Sequence, residues 1–530
     1  MDASSGNRGG EGSASDAPMV KNSLGRMVPT LWKGKSYEPY RDPWSRAPAV
    51  DRGTRPLVRR NPWESKVLKS LREAIERCDL RDGMTISTHH HLRNGDRLLN
   101  LLVQECEAMG LKNLTVASSS VHPVNAEIIP CIRNGTITRC ETGVNGLIGE
   151  LASKGELDFP IVVRSHGGRA RSILAGDVPV DAAFIAAPCC DETGNLNGAQ
   201  GPSACGSLGY AHTDARYARK VVAVTDHLVP YPASPVSISQ SDVDFVVPID
   251  SLGDSQKIVS TTTRVTRDPA GLLIAKHAAE VIEAAGLLRN GFSFQTGSGG
   301  TSLAVAENVR NRMRELGIKG SFGCGGITGY FVDMLEEGLF HTLFDVQCFD
   351  LKAVQSFGRN IMHREISADL YANPFNRGCV VNQLDCVILG ATEVDLDFNV
   401  NVNTESNGYL LHNTGGHCDT AAGARLAIVV APSIRGRLPI IRDSVTTVTT
   451  PGETVDVIVT ERGIAVAPRH QELAKELARR RLPVKEIRQL HEETTALTGK
   501  PRPIPFTDNI IALIEYRDGS IIDVVRQVQE

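Results

Sequence analysis

No stretch of the 530-residue sequence approaches the roughly 18 consecutive apolar residues that a membrane-spanning helix requires. The longest candidates, such as "LAIVVAP" at 426–432, read as buried strands. Positive charge is not in surplus either. Lysine and arginine number 57 against 61 acids, and the net charge of −4 gives no basis for a nucleic-acid partner. None of the twelve cysteines forms a C-x-x-C pair, and the adjacent Cys189 and Cys190 suit neither a disulfide framework nor a zinc site. They read as reduced core thiols. The opening "MDASSGNRGGEGSASDAPMV" has no hydrophobic core and no enrichment in arginine, so it is neither a secretory signal nor a transit peptide. A disordered tail over 1–30, an N-terminal extension over 31–66 and a cytoplasmic location are expected.

What is present is an ordinary globular composition, 41% hydrophobic and 22% charged, and a length suited to about two to four domains. Within it the chain repeats itself. "GMTISTHHHLRNGDRLLNLLVQECEAMGLKNLTVASSS" from Gly83 parallels "GFSFQTGSGGTSLAVAENVRNRMRELGIKGSFGCGG" from Gly291. "DAAFIAAPCCDETGNLNG" from Asp181 parallels "DCVILGATEVDLDFNVNV" from Asp385. "ARKVVAVTDHLVP" from Ala218 parallels "ARLAIVVAPSIRG" from Ala424, and "VDFVV" from Val243 parallels "VDVIV" from Val455. The offset stays near about 200 residues and the order never changes, which argues a duplication. Short apolar runs without alternation are strands buried on both faces, and helical segments lie between them. The expected fold is α/β, with two tandem, duplicated, open parallel-sheet domains over 67–287 and 288–530. Such sheets bind ligands beyond the carboxyl ends of their strands, where the two halves would form one cleft.

The glycine loops test what that cleft holds. A P-loop needs a lysine that does not follow Gly297, and the dinucleotide fingerprint needs glycine where Ser302 stands and an acid that "IKGSFGCGGITG" lacks. The remaining functional reading is a cradle for an oxyanion or acyl group. Gly297, Ser298, Gly299 and Gly300 would bare amides at a helix start, with a second turn at Gly323, Gly325 and Gly326. A tight strand–helix turn without a ligand is the alternative.

Several segments carry a resemblance to a known family. They are "DGMTISTHHHLRNGD" (82–96), "RSHGGR" (164–169), "FQTGSGGTSLAV" (294–305), "FDVQCFDL" (344–351), "FNVNVNT" (398–404), "GGHCDTAAGA" (415–424), "TERGIAVAP" (460–468) and "FTDNIIALIEYRDGSIIDVV" (506–525). With these the sequence resembles the CoA-transferase superfamily, and within it the citrate lyase alpha subunits, from about Val67 to the C-terminus. The resemblance implies two halves of CoA-transferase type. It implies exchange of acetyl for citryl on an acyl-carrier-protein thioester, with a citryl-cleaving beta subunit and a gamma subunit, the carrier, as partners. No cofactor would be bound covalently, since the CoA-like prosthetic arm belongs to the carrier. A citramalate lyase alpha subunit and a conventional CoA-transferase for small carboxylic acids are the alternatives.

Conventional CoA-transferases use a glutamate in a "SENG"-like turn. The matching position here falls in "SFGCGGITG", which has no carboxylate, while "ESNG" at Glu405–Gly408 is scrambled and placed late, so Glu405 reads as a loop acid. The implied chemistry then needs positioning and charge stabilisation rather than a protein nucleophile. Arg164 and Arg169, flanking His166 in "RSHGGR", are candidates to fork a citrate carboxylate, with an ion pair as the alternative. His89 and His91 are candidate substrate donors. Three consecutive histidines cannot all face one metal from a strand, and no metal site is expected. His417 is a candidate cleft residue, Asp419 a helix N-cap. Cys324 would need a neighbouring base or cation to act as a nucleophile.

Overall fold

The computed structural model describes residues 18–44, 65–259 and 264–529. Two large sheets dominate. Among the described residues the first has ten strands, in the spatial order Phe245–Pro248, Lys220–Thr225, Ala182–Ala186, Thr85–Ser87, Leu114–Val116, Ile137–Cys140, Ile161–Arg164, Phe506–Glu515, Ser520–Val528, Glu38–Pro39. The second has eight: His363–Glu365, Phe340–Cys348, Gly320–Ile327, Phe294–Thr296, Cys386–Gly390, Leu426–Val430, Val457–Thr460, Gly463–Val466. Read from opposite ends, the first seven strands of each list correspond in order, and all of those pairings are parallel. The duplicated apolar runs are the central strands: "AAFIA" and "LAIVV" are buried at every residue.

The two halves also share a device that fixes strand starts. The carboxylate of Asp181 accepts from the Thr85 amide at 2.9 Å, and that of Asp385 accepts from the Ser293 amide at 3.0 Å. One strand further, Asp244 accepts from the Val221 amide at 2.9 Å and Asp456 from the Ala427 amide at 2.7 Å. An unpaired amide at the end of a buried strand is unfavourable, and each half satisfies it with an aspartate from the neighbouring strand.

The sheets do not follow the linear division at residues 287 and 288. The hairpin Phe506–Glu515 and Ser520–Val528 ends the second half in sequence, yet it joins the first sheet, with Leu513 beside Val162 and Glu515 beside Arg164. Helix Pro269–Ala284, capped by Asp268, precedes the division but packs on helix Gly300–Leu316 and on two strands of the second sheet. The expected disordered tail over 1–30 is also corrected in part. Met19–Lys21 pairs antiparallel with Met27–Pro29, and the Asn22 side chain donates to the Ile522 carbonyl at 2.7 Å. Tyr40 is buried edge-on against Tyr516, 5.0 Å between ring centres. Strands of two or three residues have no readable periodicity, and the bond that ties this hairpin to the first sheet spans 500 positions, so the sequence does not announce it. Residues 1–17 and 45–64 lie outside the described residues.

Candidate active site at the junction of the two halves

In each sheet the chain runs outward from the first strand to the fourth, then returns to place the fifth on the first strand's other side. The first strands are Thr85–Ser87 and Phe294–Thr296, and the fifth are Ala182–Ala186 and Cys386–Gly390. Loops leaving the first and fifth strands diverge and open a crevice, the place where open α/β sheets bind ligands. His89, His90 and His91 follow the first strand of one half, and Gly297–Gly300 follow that of the other. The strand ends of the halves meet. Gln347 Nε2 donates to the His90 carbonyl at 2.9 Å, and the His166 amide donates to the Gly415 carbonyl at 2.8 Å. The Arg93 guanidinium lies 4.8 Å from the Phe349 ring centre, and the Asn413 side chain bonds Ser120.

The histidines head a cluster of rings. Tyr210 lies 4.7 Å from His90, 5.5 Å from His91 and 4.5 Å from His166, and His122 lies 5.3 Å from His90. His90 is anchored, its Nδ1 2.6 Å from Ser119 Oγ. His89 and His91 are not. Both are at least 98% buried, and among the described residues neither ring nitrogen of either one has a hydrogen-bond partner. Burial lowers the histidine pKa values from the ordinary 6.5, to about 4 for His89 and His122, to about 3 for His166, and well below 6.5 for His90 and His91. Neutral imidazole has one donor and one acceptor, and leaving them unpaired in a buried site is unfavourable by about 1–3 kcal/mol per group. The Thr328 hydroxyl, at the end of strand Gly320–Ile327, and the Asn413 side-chain oxygen are unpartnered as well.

The glycine segments divide. Phe294–Thr296 ends in a loop, and Gly299 caps the 17-residue helix Gly300–Leu316. The Gly297 amide pairs with the Ile388 carbonyl at 3.1 Å, so it continues the ladder and is not free to cradle a ligand. Ser298, Gly299 and Gly300 supply the amides at the helix start. A side chain at Gly299 would meet nothing within 4 Å, whereas one at Gly300 would stand 2.8 Å from the Arg264 carbonyl oxygen. The second glycine turn is not a turn. Gly320–Ile327 is a strand with a bulge between Gly325 and Gly326. Its glycines admit close neighbours: a Cβ would come 2.5 Å from the Phe331 ring at Gly323 and 2.2 Å from the Phe349 ring at Gly326. Gly325, at φ +94°, holds the left-handed geometry that glycine favours, with Gln295 packed against it.

Three expected substrate contacts are engaged within the protein. Arg164 forks Glu515 with two bonds of 2.9 Å and reaches Glu141 at 2.5 Å, its side chain 1% exposed. Arg169 bonds both oxygens of Asp214, the Ser87 hydroxyl and the Ala117 carbonyl. Neither guanidinium has a face left for a carboxylate. His417 uses Nδ1 on Thr450 Oγ1 at 2.7 Å and Nε2 on the Gly390 carbonyl at 2.8 Å. Asp419 does not cap its own helix; the cap is Gly416. Its carboxylate accepts from Ser165 Oγ at 2.8 Å and the Gly167 amide at 2.9 Å, tying it to the start of helix His166–Ala175 in the other half. Desolvation raises its pKa to about 6.

Cys324 is buried, donates to Gln295 Oε1 at 3.2 Å and has its pKa raised by burial, the reverse of an activated thiol. Glu405 lies in a tight turn closed by the Gly408 amide and pairs with the exposed His412 at 3.0 Å. Sequence reasoning missed His122, Tyr210, Gln347 and Thr328. One signal was available for two of them: His122 and Thr328 both lie in the segment that follows the second strand of their half, Leu114–Val116 and Gly320–Ile327.

Two tandem open sheets meeting at their strand ends define an α/β protein of CoA-transferase type. That fold is shared with the malonate decarboxylase alpha subunit from Acinetobacter baumannii, at a TM-score of 0.60 and 15% identity over 83% of this chain and 96% of that one. The chain belongs to the family of citrate lyase alpha subunits, since the family model "Citrate lyase, alpha subunit (CitF)" matches residues 64–528. It is 47% identical to the citrate lyase alpha chain of Klebsiella pneumoniae over 89% of this chain and 95% of that one. It is 48% identical to the citrate lyase alpha chain of Escherichia coli over 88% and 92%. A Streptococcus mutans structure described as the alpha subunit of citrate lyase in complex with citrate superposes at a TM-score of 0.92, with 46% identity over 96% of this chain and all of that one.

Proposed function

We propose that this chain exchanges acetyl for citryl on the thioester of an acyl carrier protein, as the transferase subunit of a citrate lyase complex, without a covalent acyl-enzyme. A citrate carboxylate oxygen attacks the acetyl carbonyl and expels the carrier thiolate, leaving a mixed anhydride. The thiolate then attacks the citryl carbonyl of that anhydride and acetate departs. Amides of Ser298, Gly299 and Gly300 at a helix start offer donors where each tetrahedral oxyanion develops. His89 and His91 donate N–H to carboxylates of the substrate, and His166, Tyr210 and Thr328 line the same crevice. Partners are the citryl-cleaving beta subunit and the carrier, whose prosthetic arm brings the thioester. All twelve cysteines are unpaired and buried, in keeping with a reducing cytoplasm.

The observation that carries this reading is the pair of buried imidazoles with four unpartnered nitrogens at a topological switch point. A citrate-bound relative 46% identical to this chain supports the acid. The test is exchange by the purified chain given citrate and acetyl-CoA in place of the acetyl carrier, followed by mass spectrometry. Citryl-CoA and acetate without an enzyme adduct are expected, and Glu405→Ala leaves the rate unchanged. A hydroxylamine-sensitive adduct on a glutamate would make the chain a conventional CoA-transferase. No exchange with either CoA or carrier thioesters would remove the activity altogether.

A further inference from the structure

Apart from the unpartnered imidazoles, the described residues hold one cluster of three metal-ligating types. Strand Phe340–Cys348 carries Asp345 and Cys348, and the neighbouring strand His363–Glu365 begins with His363. Residues three apart on a regular strand point to opposite faces. Here the register moves from Gly325–Asp345 to Gly326–Gln347, leaving Val346 unpaired, and that bulge turns Cys348 to the side of Asp345. All three are buried, and one donor atom from each lies within 4.8 Å of the others. His363 Nε2 and Cys348 Sγ both sit 2.9 Å from Asp345 Oδ2. Asp345 Oδ1 has no partner, although it is fully buried. The other ring nitrogen of His363 meets Ser356 Oγ at 3.1 Å, which holds Nε2 toward the cluster as an outer partner does for a metal-bound imidazole. Gly206 of the first half backs onto the sulfur, where a Cβ would stand 2.2 Å away.

We propose that Asp345, Cys348 and His363 form a binding site for a zinc-class divalent cation, with both Asp345 oxygens, Cys348 Sγ and His363 Nε2 as donors. The unpartnered oxygen is then the fourth donor. A thiolate and a carboxylate balance a 2+ charge, so the buried complex is neutral. Binding sends the thiol proton to solvent, and His363 carries its proton on Nδ1 toward Ser356. Sulfur and nitrogen among the donors favour zinc or cobalt over magnesium or calcium. Zinc bonds of about 2.3 Å to sulfur and about 2.0–2.2 Å to nitrogen and oxygen put donors of different residues about 3.4–3.6 Å apart, so Cys348 Sγ and His363 Nε2 each draw back from Asp345 Oδ2 by about half an ångström. The sequence reading weighed metals at the histidine triplet and at Cys189 and Cys190, and found no C-x-x-C. This cluster is assembled by a bulge and a neighbouring strand, neither of which leaves a spacing signature. The ion would pin the strand end that carries Gln347, the residue bonded to His90.

The test uses the full chain, reduced and freed of metal by a chelator, titrated with cobalt(II). One equivalent should bind with a thiolate-to-cobalt charge-transfer band, zinc should displace it, and zinc should raise the unfolding temperature. Cys348→Ser should abolish the band and weaken binding about 10²-fold or more, while Cys140→Ser, with a buried thiol elsewhere, keeps it. His363→Gln is the second variant, judged where its circular dichroism is native. Uptake below about a tenth of an equivalent by natively folded chain overturns the proposal. So does a band that survives Cys348→Ser.

Discussion

At the same point of the same fold, one half carries His89, His90 and His91 and the other carries Gly297, Ser298, Gly299 and Gly300. The strands beneath them correspond, and so do the aspartates that fix the starts of Thr85–Ser87 and Phe294–Thr296. What differs is the source of the hydrogen-bond donors. The first half offers side chains, buried and neutral, and the ring nitrogens of His89 and His91 are kept out of the protein's own bonding while His90 is anchored on Ser119. The second offers backbone amides at a helix start, with open space at Gly299. A duplicated fold thus reaches a site with two kinds of donor without changing its framework. On the proposed function the division suits two tasks: neutral imidazole N–H groups for the substrate's carboxylates, and fixed dipoles that need no rearrangement.

The largest expected effect breaks what only the first half possesses. Arg164→Leu removes the fork that fastens the C-terminal hairpin, and leaves Glu515 and Glu141 to Arg171 and Arg139. Stability should fall by about 3 kcal/mol in urea denaturation, as for removal of one partner from a buried ion pair. A loss below about 1 kcal/mol would mean the hairpin is held by packing alone. Gly299→Val strikes the second half's contribution. It fits the backbone at φ −71° and should leave the fold intact while lowering acyl exchange about 10²–10³-fold. Unchanged turnover would remove the helix start from the mechanism.

His91→Leu sharpens the contrast by separating stability from activity. Removing two unpartnered nitrogens should raise the unfolding free energy by about 1 kcal/mol, while the apparent citrate KM rises about tenfold. A variant that loses both stability and activity would make His91 an ordinary core residue. The smallest effect is in pH. His89, His122 and His166 stay neutral to about pH 4 or lower in the fold but titrate near 6.5 when unfolded. The unfolded chain therefore binds more protons between those values. Their contribution is whole above pH 6.5 and declines as pH falls toward about 4. Hydrogen exchange at pH 7.5 and 5.5 should show the 89–91 segment loosening while 297–300 is unaffected. Citrate should restore protection more at the lower pH.

The duplication was legible because strands buried on both faces write themselves as unbroken apolar runs, and four such runs recur in register. The Gly299 helix start was legible for a local reason too, a strand followed by glycines and a helical period. The strand Gly320–Ile327 was not. "GSFGCGG" looks like a turn, but its glycines answer to Phe331, Phe349 and Gln295, which sequence does not place beside them. For Arg164 and Arg169 the sequence left a carboxylate fork and an ion pair both open, because their partners Glu515 and Asp214 are 351 and 45 positions away. The unpartnered imidazoles show the converse. Three histidines in a row are conspicuous in any sequence, but only the bond from His90 to Ser119 shows which ring is anchored.

The late hairpin Phe506–Glu515 and Ser520–Val528 has a consequence for how the protein is made. Until residue 528 has left the ribosome, the strand Ile161–Arg164 is an uncovered, apolar edge, and Arg164 is a buried-type cation without its main counter-charge. The early strands at Met19–Lys21, Met27–Pro29 and Glu38–Pro39 are in the same position, waiting on Ile521 and Ile522. The lobe translated first is the lobe completed last. A chain cut short by a few dozen residues would lose the beginning of the molecule, not its end, and would present a sticky edge to chaperones and to its own copies.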